Sequence, residues 1–353
     1  MVECAGLENR YGRKPIGGSN PPLSAISHIL ETPNKYPPHI IFSISDKICY
    51  CWKNGLWEDI TVSSTEDLQS QFAHWIGRKT ERRDVISDRL IEQFRATFGQ
   101  HIAAVPTVPP GIFWCLSPDA LTVDKLGGDG HPKLGIYLPE IPYPRRMWAG
   151  GTLRFHGDGN DQFAPGQTIA KQSTIANIAF KSGRSGDLCF VTVTHHYLAN
   201  DQLILEEDQN IVYRAEITPV AAASDITAIP APSATLASWS VKPDPVMMFR
   251  YSALTFNGHR IHYDKPYSMT EEGHPGLVVH GPMQATWLLS LAAQHLGKLP
   301  SVMHYRGTAA YIEGDPATVA LISDTDAKHA LDQFTGMVIT VSGIKTMEAQ
   351  FQI

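Results

Sequence analysis

The spacing of apolar residues predicts a short helical region, then a block of strands, and then the same order again. Ser64, with Asp67 three positions on, can cap a helix whose face carries Leu68, Phe72 and Trp75 or Ile76. A second helix is marked by Ser87 as N-cap, by Leu90, Ile91, Phe94 and Phe98 at helical spacing, and by Gly99 as its stop. Residues 106–151 are rich in Pro and Gly and read as long ordered loops. From Thr152 the period changes. Residues 168–180, 188–197 and 203–213 alternate and are rich in β-branched and aromatic side chains, with breaks at Gly183-Arg184-Ser185-Gly186 and Asn200-Asp201.

Residues 216–238, rich in Ala, Pro and Ser, read as a linker. Beyond them Pro282 stands at a helix N1 position, residues 283–295 form a strongly apolar helix, and Gly297 closes it. Strand-like runs follow at 301–312, 317–322, 337–341 and 346–353. Helix-then-sheet, repeated, is an α+β arrangement rather than a βαβ one. The expected domains are 63–215 and 239–353, joined by 216–238 and preceded by an extension over 1–62. That extension has Gly, Pro and Asn clusters and no sustained period. Its run from Leu7 to Ala25 looks like the translation of a bacterial serine tRNA gene, so a start assigned too far upstream is expected, with a non-ATG start near Val62. A genuine flexible extension is the alternative.

Composition narrows the class. A hydrophobic content of 43% with 18% charged residues describes a globular enzyme rather than a disordered chain. The net charge of -6 argues against bulk attraction to nucleic acid, while leaving room for a local Arg pocket. No apolar run reaches the roughly 18 residues of a membrane helix. The five cysteines fit neither a disulfide framework nor a paired zinc motif, and a reducing cytoplasm is the expected compartment. Gly127-Gly128-Asp129-Gly130 and Gly157-Asp158-Gly159 read as turns, not phosphate loops, so no nucleotide cofactor is expected.

Candidate chemistry concentrates in residues 249–281, which hold His259, His262, His274 and His280 with Asn257 and Asp264. Ionisable groups clustered in a loop suit a site better than a core. His262 can exchange protons near neutral pH, and the N–H groups at Gly281, opening the next helix, offer aligned donors. A metal held by His259, His262 and His274 lacks a familiar spacing, so none is expected. Arg145, Arg146, Arg184 and Arg260 are candidates to hold a phosphate or a carboxylate. Glu206, Glu207 and Asp208 form an acidic run in a strand, where a solvated edge and a second acid/base group are both open.

The stretch Leu254-Thr255-Phe256-Asn257-Gly258-His259-Arg260-Ile261-His262-Tyr263-Asp264 resembles the motif of the MaoC-like, hydratase-2-type hot-dog enzymes, and the segment Gly276 to Gly281 resembles the one leading into their central helix. Within that family the chain is similar to the mitochondrial type 2 hydroxyacyl-thioester dehydratases and to the mesaconyl-C4-CoA and itaconyl-CoA hydratases. Pro144 to Gly151, Lys181 to Gly186 and Glu206 to Arg214 carry this further likeness. The resemblance implies a tandem hot-dog fold, no cofactor, and an acyl-CoA or acyl-carrier-protein substrate that gains or loses water across C2–C3. It puts His262 at the catalytic His position and Gly281 at the oxyanion position, with His259 lining the substrate. The departure is at Asn257, which stands where the motif has its Asp, and at His259, which stands where it has Asn. Asn257 is then expected to orient water. The alternatives are a carrier-protein dehydratase, a hot-dog thioesterase and a non-catalytic thioester-binding module. The helix at 282–297 has no Asp or Glu, which speaks against thioesterases that use a carboxylate there. The two halves are expected to pair with each other, and a homodimer of the whole chain is compatible with the fold.

Overall fold

The computed structural model describes residues 65–157, 163–183, 186–214, 228–229, 232, 235–323 and 333–353, together with the backbone of three short strands between 41 and 61. Those strands, β1 (Ile41–Ser45), β2 (Ile48–Lys53) and β3 (Leu56–Thr61), form an antiparallel meander. The remainder of the expected extension over 1–62, including the start proposed near Val62, lies outside the described residues.

The main body begins with α1 (Thr65–Phe72), β4 (Lys79–Val85) and α2 (Asp88–Phe98), followed by β5 (Arg145–Phe155), β6 (Thr168–Gly183), β7 (Gly186–Ala199) and β8 (Gln202–Arg214). The second part comprises β9 (Ala237–Val241), α3 (Pro245–Thr255), α4 (Lys265–Thr270), α5 (Gly281–Leu296), β10 (Val302–Gly307), β11 (Ala317–Ser323), β12 (Gln333–Thr340) and β13 (Lys345–Gln352). Ser87 caps α2 through a hydrogen bond from the Leu90 N–H, and Gly99 ends it, as expected.

All ten strands from β4 to β13 join one antiparallel sheet, in the order β4-β6-β7-β8-β5-β10-β13-β12-β11-β9. Counted within its own half, each set of five strands runs 1-3-4-5-2. The second strands of the two halves, β5 and β10, pair antiparallel from Val302↔Arg154 to Arg306↔Gly150. The duplication inferred from element order is thus visible in topology, and the fold is a tandem hot-dog.

The helix α5 is buried almost continuously from Met283 to Ala293 and packs on strands of its own half. A helix apolar on all sides belongs in a core. One continuous core runs from Phe94 and Phe98 of α2 through Tyr251 of α3 and Trp287 of α5 to Phe351 of β13. Phe98 meets Tyr251 and Trp287 edge-on, at ring separations of 5.7 and 6.3 Å. The two halves therefore share their interior.

Four segments differ from the sequence expectation. β4 reads KTERRDV and is exposed at nearly every position; it is held at the sheet edge by its pairing with β6, not by an apolar face. β5 starts at Arg145, inside the span read as loop, where its glycines disguise a strand with a register shift between Trp148 and Gly150. Residues 237–238, assigned to the linker, begin β9, and the part of 249–281 read as loop contains the end of α3 and all of α4. Most of the linker lies outside the described residues.

Candidate active site

The motif loop runs from the end of α3 to the start of α5. Asp244 caps α3, and the chain leaves the helix through Phe256 in the left-handed conformation, at φ 51°. Asn257 then folds back on its own loop: its Oδ1 accepts the His259 N–H at 3.0 Å. A short 3-10 turn at Arg260–His262 follows, and Asp264 caps α4. Arg260 is committed to bracing this turn. It donates twice to Asp264 (3.0 and 2.8 Å) and once to the Gly128 carbonyl (3.1 Å), and it lies 3.9 Å over the Tyr267 ring.

His262 is buried, with 7% of its surface exposed. Its Nδ1 lies 2.6 Å from the Val278 carbonyl oxygen, an atom that can only accept, so Nδ1 carries the proton and Nε2 keeps its lone pair. Burial pulls its pKa down to about 3, against the raising effect of the Val278 bond. The ring stacks on His280 at 3.7 Å and meets His259 edge-on at 5.3 Å. His280 is the residue before α5, is 1% exposed, and shares a hydrogen bond of 2.8 Å with the Ser252 hydroxyl through Nε2. Its Nδ1 is buried without a partner. Gly281 opens α5, where a first-turn N–H has no intrahelical acceptor. A Cβ at Gly281 would stand 2.3 Å from Cε3 of Trp148, so the indole needs glycine there.

The first half closes over this loop through the turn at Gly127-Gly128-Asp129-Gly130. Gly130 has φ +87° and approaches so near that a Cβ would stand 1.9 Å from the Gly258 carbonyl oxygen. The Asp129 carbonyl accepts the Arg260 N–H at 2.9 Å. His131 donates from Nδ1 to Asp129 Oδ2 at 3.1 Å, and its ring lies 4.0 Å from that of His259. Four imidazoles thus form one row, His131, His259, His262 and His280, with a carboxylate at its outer end. Burial lowers the pKa of every ring in the row. Burial alone would raise Asp129, but the His131 hydrogen bond and the Arg146 charge hold its carboxyl well below the usual range.

Of the expected substrate-binding residues, Arg146 is 3.9 Å from Asp129 Oδ2 with 14% of its side chain exposed. It shares a face of β5 with Trp148. Arg145 is tied to Glu272, donating to its carbonyl at 3.0 Å. Arg184 lies outside the described residues. A surface cleft of about 340 Å³, lined by Asp129, Lys133, Glu140 and Arg146 among others, opens beside the Asp129 turn. His274, named with His259 and His262 as a conceivable ligand set, is not in the group that could hold a metal: donor atoms of Asp129, His131 and His259 lie within 4.8 Å of one another. The Arg146 guanidinium beside Asp129 opposes a cation at that point. Of the acidic strand residues, Glu206 and Asp208 pair with Arg154, whereas Glu207 is fully buried and accepts from Trp114, Tyr197 and Tyr305.

Sequence reasoning missed Asp129 and His131, because a Gly-Gly-Asp-Gly run carries only a turn signal. The one available hint was that a carboxylate absent from the motif had to be sought elsewhere in the chain.

Comparison with known proteins places this geometry in a family. The model of the hydroxyacyl-thioester dehydratase type 2 family matches residues 112–313. The chain is 42% identical over 228 residues to the mesaconyl-C(4)-CoA hydratase of Chloroflexus aurantiacus, covering 64% of this chain and 79% of that protein. It is 28% identical over 244 residues to the mitochondrial hydroxyacyl-thioester dehydratase type 2 of Schizosaccharomyces pombe, covering 60% and 78%. A MaoC-like dehydratase of Phytophthora capsici matches in structure with a TM-score of 0.55 at 11% identity, over 82% of this chain and 98% of that one, a likeness of fold alone. The chain belongs to the hydroxyacyl-thioester dehydratase type 2 family and is a hydro-lyase.

Proposed function

We propose that this hydro-lyase adds water across the C2–C3 bond of a short branched or dicarboxylic enoyl-CoA, of the mesaconyl-C4-CoA or itaconyl-CoA type. The observation that carries the reading is the neutral His262, whose Nδ1 is fixed by the Val278 carbonyl so that Nε2 is left to accept from water. It lies on the row that ends at the N-terminus of α5. There the N–H of Gly281, in the first turn of α5, is the group expected to meet the thioester oxygen as enolate charge develops. The likeness to the Chloroflexus hydratase supports a dicarboxylic acyl group, and Arg146 and Lys133 offer positive charge at the adjoining cleft for a substrate carboxylate or the CoA phosphates. The absence of Asp and Glu from α5 disfavours hydrolysis by a helix carboxylate.

The test is incubation with crotonyl-, mesaconyl- and itaconyl-CoA, read by mass. A gain of one water on a dicarboxylic member, reduced at least about a hundredfold by His262→Ala, is expected. Release of free CoA without hydration would overturn the reading in favour of a thioesterase. Near-normal turnover in His262→Ala would remove that residue from the chemistry.

A further inference from the structure

Resting on the hydratase reading, we infer that Asp129 and His131, contributed by the first half of the chain, form the base of the active site in place of the carboxylate its motif lacks. Three observations carry this. Asn257, at the motif's Asp position, is an amide, and its oxygen is occupied by the His259 N–H. Asp264, the motif's other carboxylate, is bound by Arg260. Within the row of four rings, His131 is the imidazole hydrogen-bonded to a carboxylate.

A buried imidazole without such a partner is a poor place to leave a proton. His262 illustrates this, since its ring resists charging until pH falls to about 3. Each pKa unit below the working pH costs about 1.4 kcal/mol on forming the imidazolium. His131 is also buried, but Asp129 opposes the effect, and Asp129 itself is held ionised. The bond to Asp129 places the proton on Nδ1 and leaves Nε2 bare.

The step balances without a co-reactant. His131 Nε2 takes one proton of the water whose oxygen bonds to C3, and the C2=C3 electron pair becomes the enolate. The same proton then returns from the imidazolium to C2. Asp129 stays ionised throughout and offsets the imidazolium charge, so it is a positioning residue acting through His131. His262 Nε2 accepts the second hydrogen of the same water and aligns it. The cleft with Lys133 and Arg146 on its wall borders Asp129.

The experiment compares the full chain with Asp129→Asn, Asp129→Glu and His131→Gln, on the best thioester of the panel and across pH. His131→Gln is expected to lower kcat about a hundredfold or more with KM within a few-fold. Asp129→Asn keeps an acceptor for the turn, so it is expected to fold normally and to lose at least about tenfold in kcat. The groups facing His131 are Asp129, Arg146, Glu272, His259 and His262. Removing the Asp129 charge disfavours the imidazolium, so the acidic limb of kcat/KM moves to lower pH. Asp129→Glu is expected to recover part of the rate and the wild-type limb. Wild-type kcat and an unmoved limb in Asp129→Asn would overturn the inference, and so would wild-type kcat in His131→Gln. Activity lost to a chelator and regained with zinc alone would overturn it in favour of a metal centre on the same residues. Failure of the wild type itself to hydrate any thioester would instead count against the hydratase reading.

Discussion

Replacing Gly281 by Ala tests how the two halves cooperate at the start of α5. The added Cβ would stand 2.3 Å from Cε3, 2.7 Å from Cζ3 and 3.3 Å from Cδ2 of Trp148. Comfortable carbon–carbon contact begins near ~3.5 Å, so the closest pair overlaps by about 1.2 Å. Trp148 has nowhere to move: its ring stacks on Tyr305 at 4.8 Å and meets Trp114 edge-on at 6.2 Å. Either the indole leaves that stack or the helix start shifts. Overpacking of this kind costs roughly 1–3 kcal/mol. At roughly 2–4 °C per kcal/mol for a chain of this size class, the melting temperature should fall by at least a few degrees. A shift of about 1 Å at the helix start should also cost up to about a hundredfold in kcat. Thermal unfolding and steady-state hydration on the same preparation measure both. Adding Trp148→Leu closes a double-mutant cycle, in which the substitutions should couple favourably by about 0.5–3 kcal/mol. A Gly281→Ala protein with wild-type melting temperature and turnover would refute the claim that Trp148 fixes this helix start.

Two further outcomes follow from buried ionisable groups. Burial holds His131, His195, His259, His262 and His280 below the ordinary histidine value of 6.5, so between the folded and unfolded pKa values the unfolded chain binds more protons. Stability is therefore fully present above pH 6.5 and is lost as pH falls, with a slope approaching about 1.4 kcal/mol per pH unit for each such histidine. Denaturant midpoints measured from pH 7.5 down to 4.5 should decline steadily, and a flat profile would contradict neutral burial of these rings. Glu207→Ala removes the acceptor of the Trp114, Tyr197 and Tyr305 donors from a fully buried position. It should destabilise by on the order of 3–5 kcal/mol in urea unfolding, and a loss under ~1 kcal/mol would show that water replaces the carboxylate.

What was legible in the sequence followed from local rules. The helix α2 was readable because its cap, apolar stripe and stop all lie within thirteen residues, from Ser87 to Gly99. The long strands β6 to β8 were readable because alternation persists over many residues. β4 was not, since a polar edge strand gains its place from pairing with β6 rather than from burial. His262 and its loop stood out by composition, and the resemblance gave them their expected roles. Asp129 and His131 could not be found that way. Their part in the site depends on Gly130 meeting Gly258 across 128 residues of chain, a closeness that no local pattern records. The same holds for Trp148 against Gly281: a β5 side chain shapes the start of a helix in the other half.

The most direct test of the account is hydration in ¹⁸O-labelled water, run with the wild type and His262→Ala on the dicarboxylic enoyl-CoA panel. The account predicts one labelled oxygen in the wild-type acyl product, with the thioester intact and incorporation nearly abolished in the variant. Labelled oxygen appearing in a free acid with release of CoA, or undiminished incorporation by His262→Ala, would contradict it.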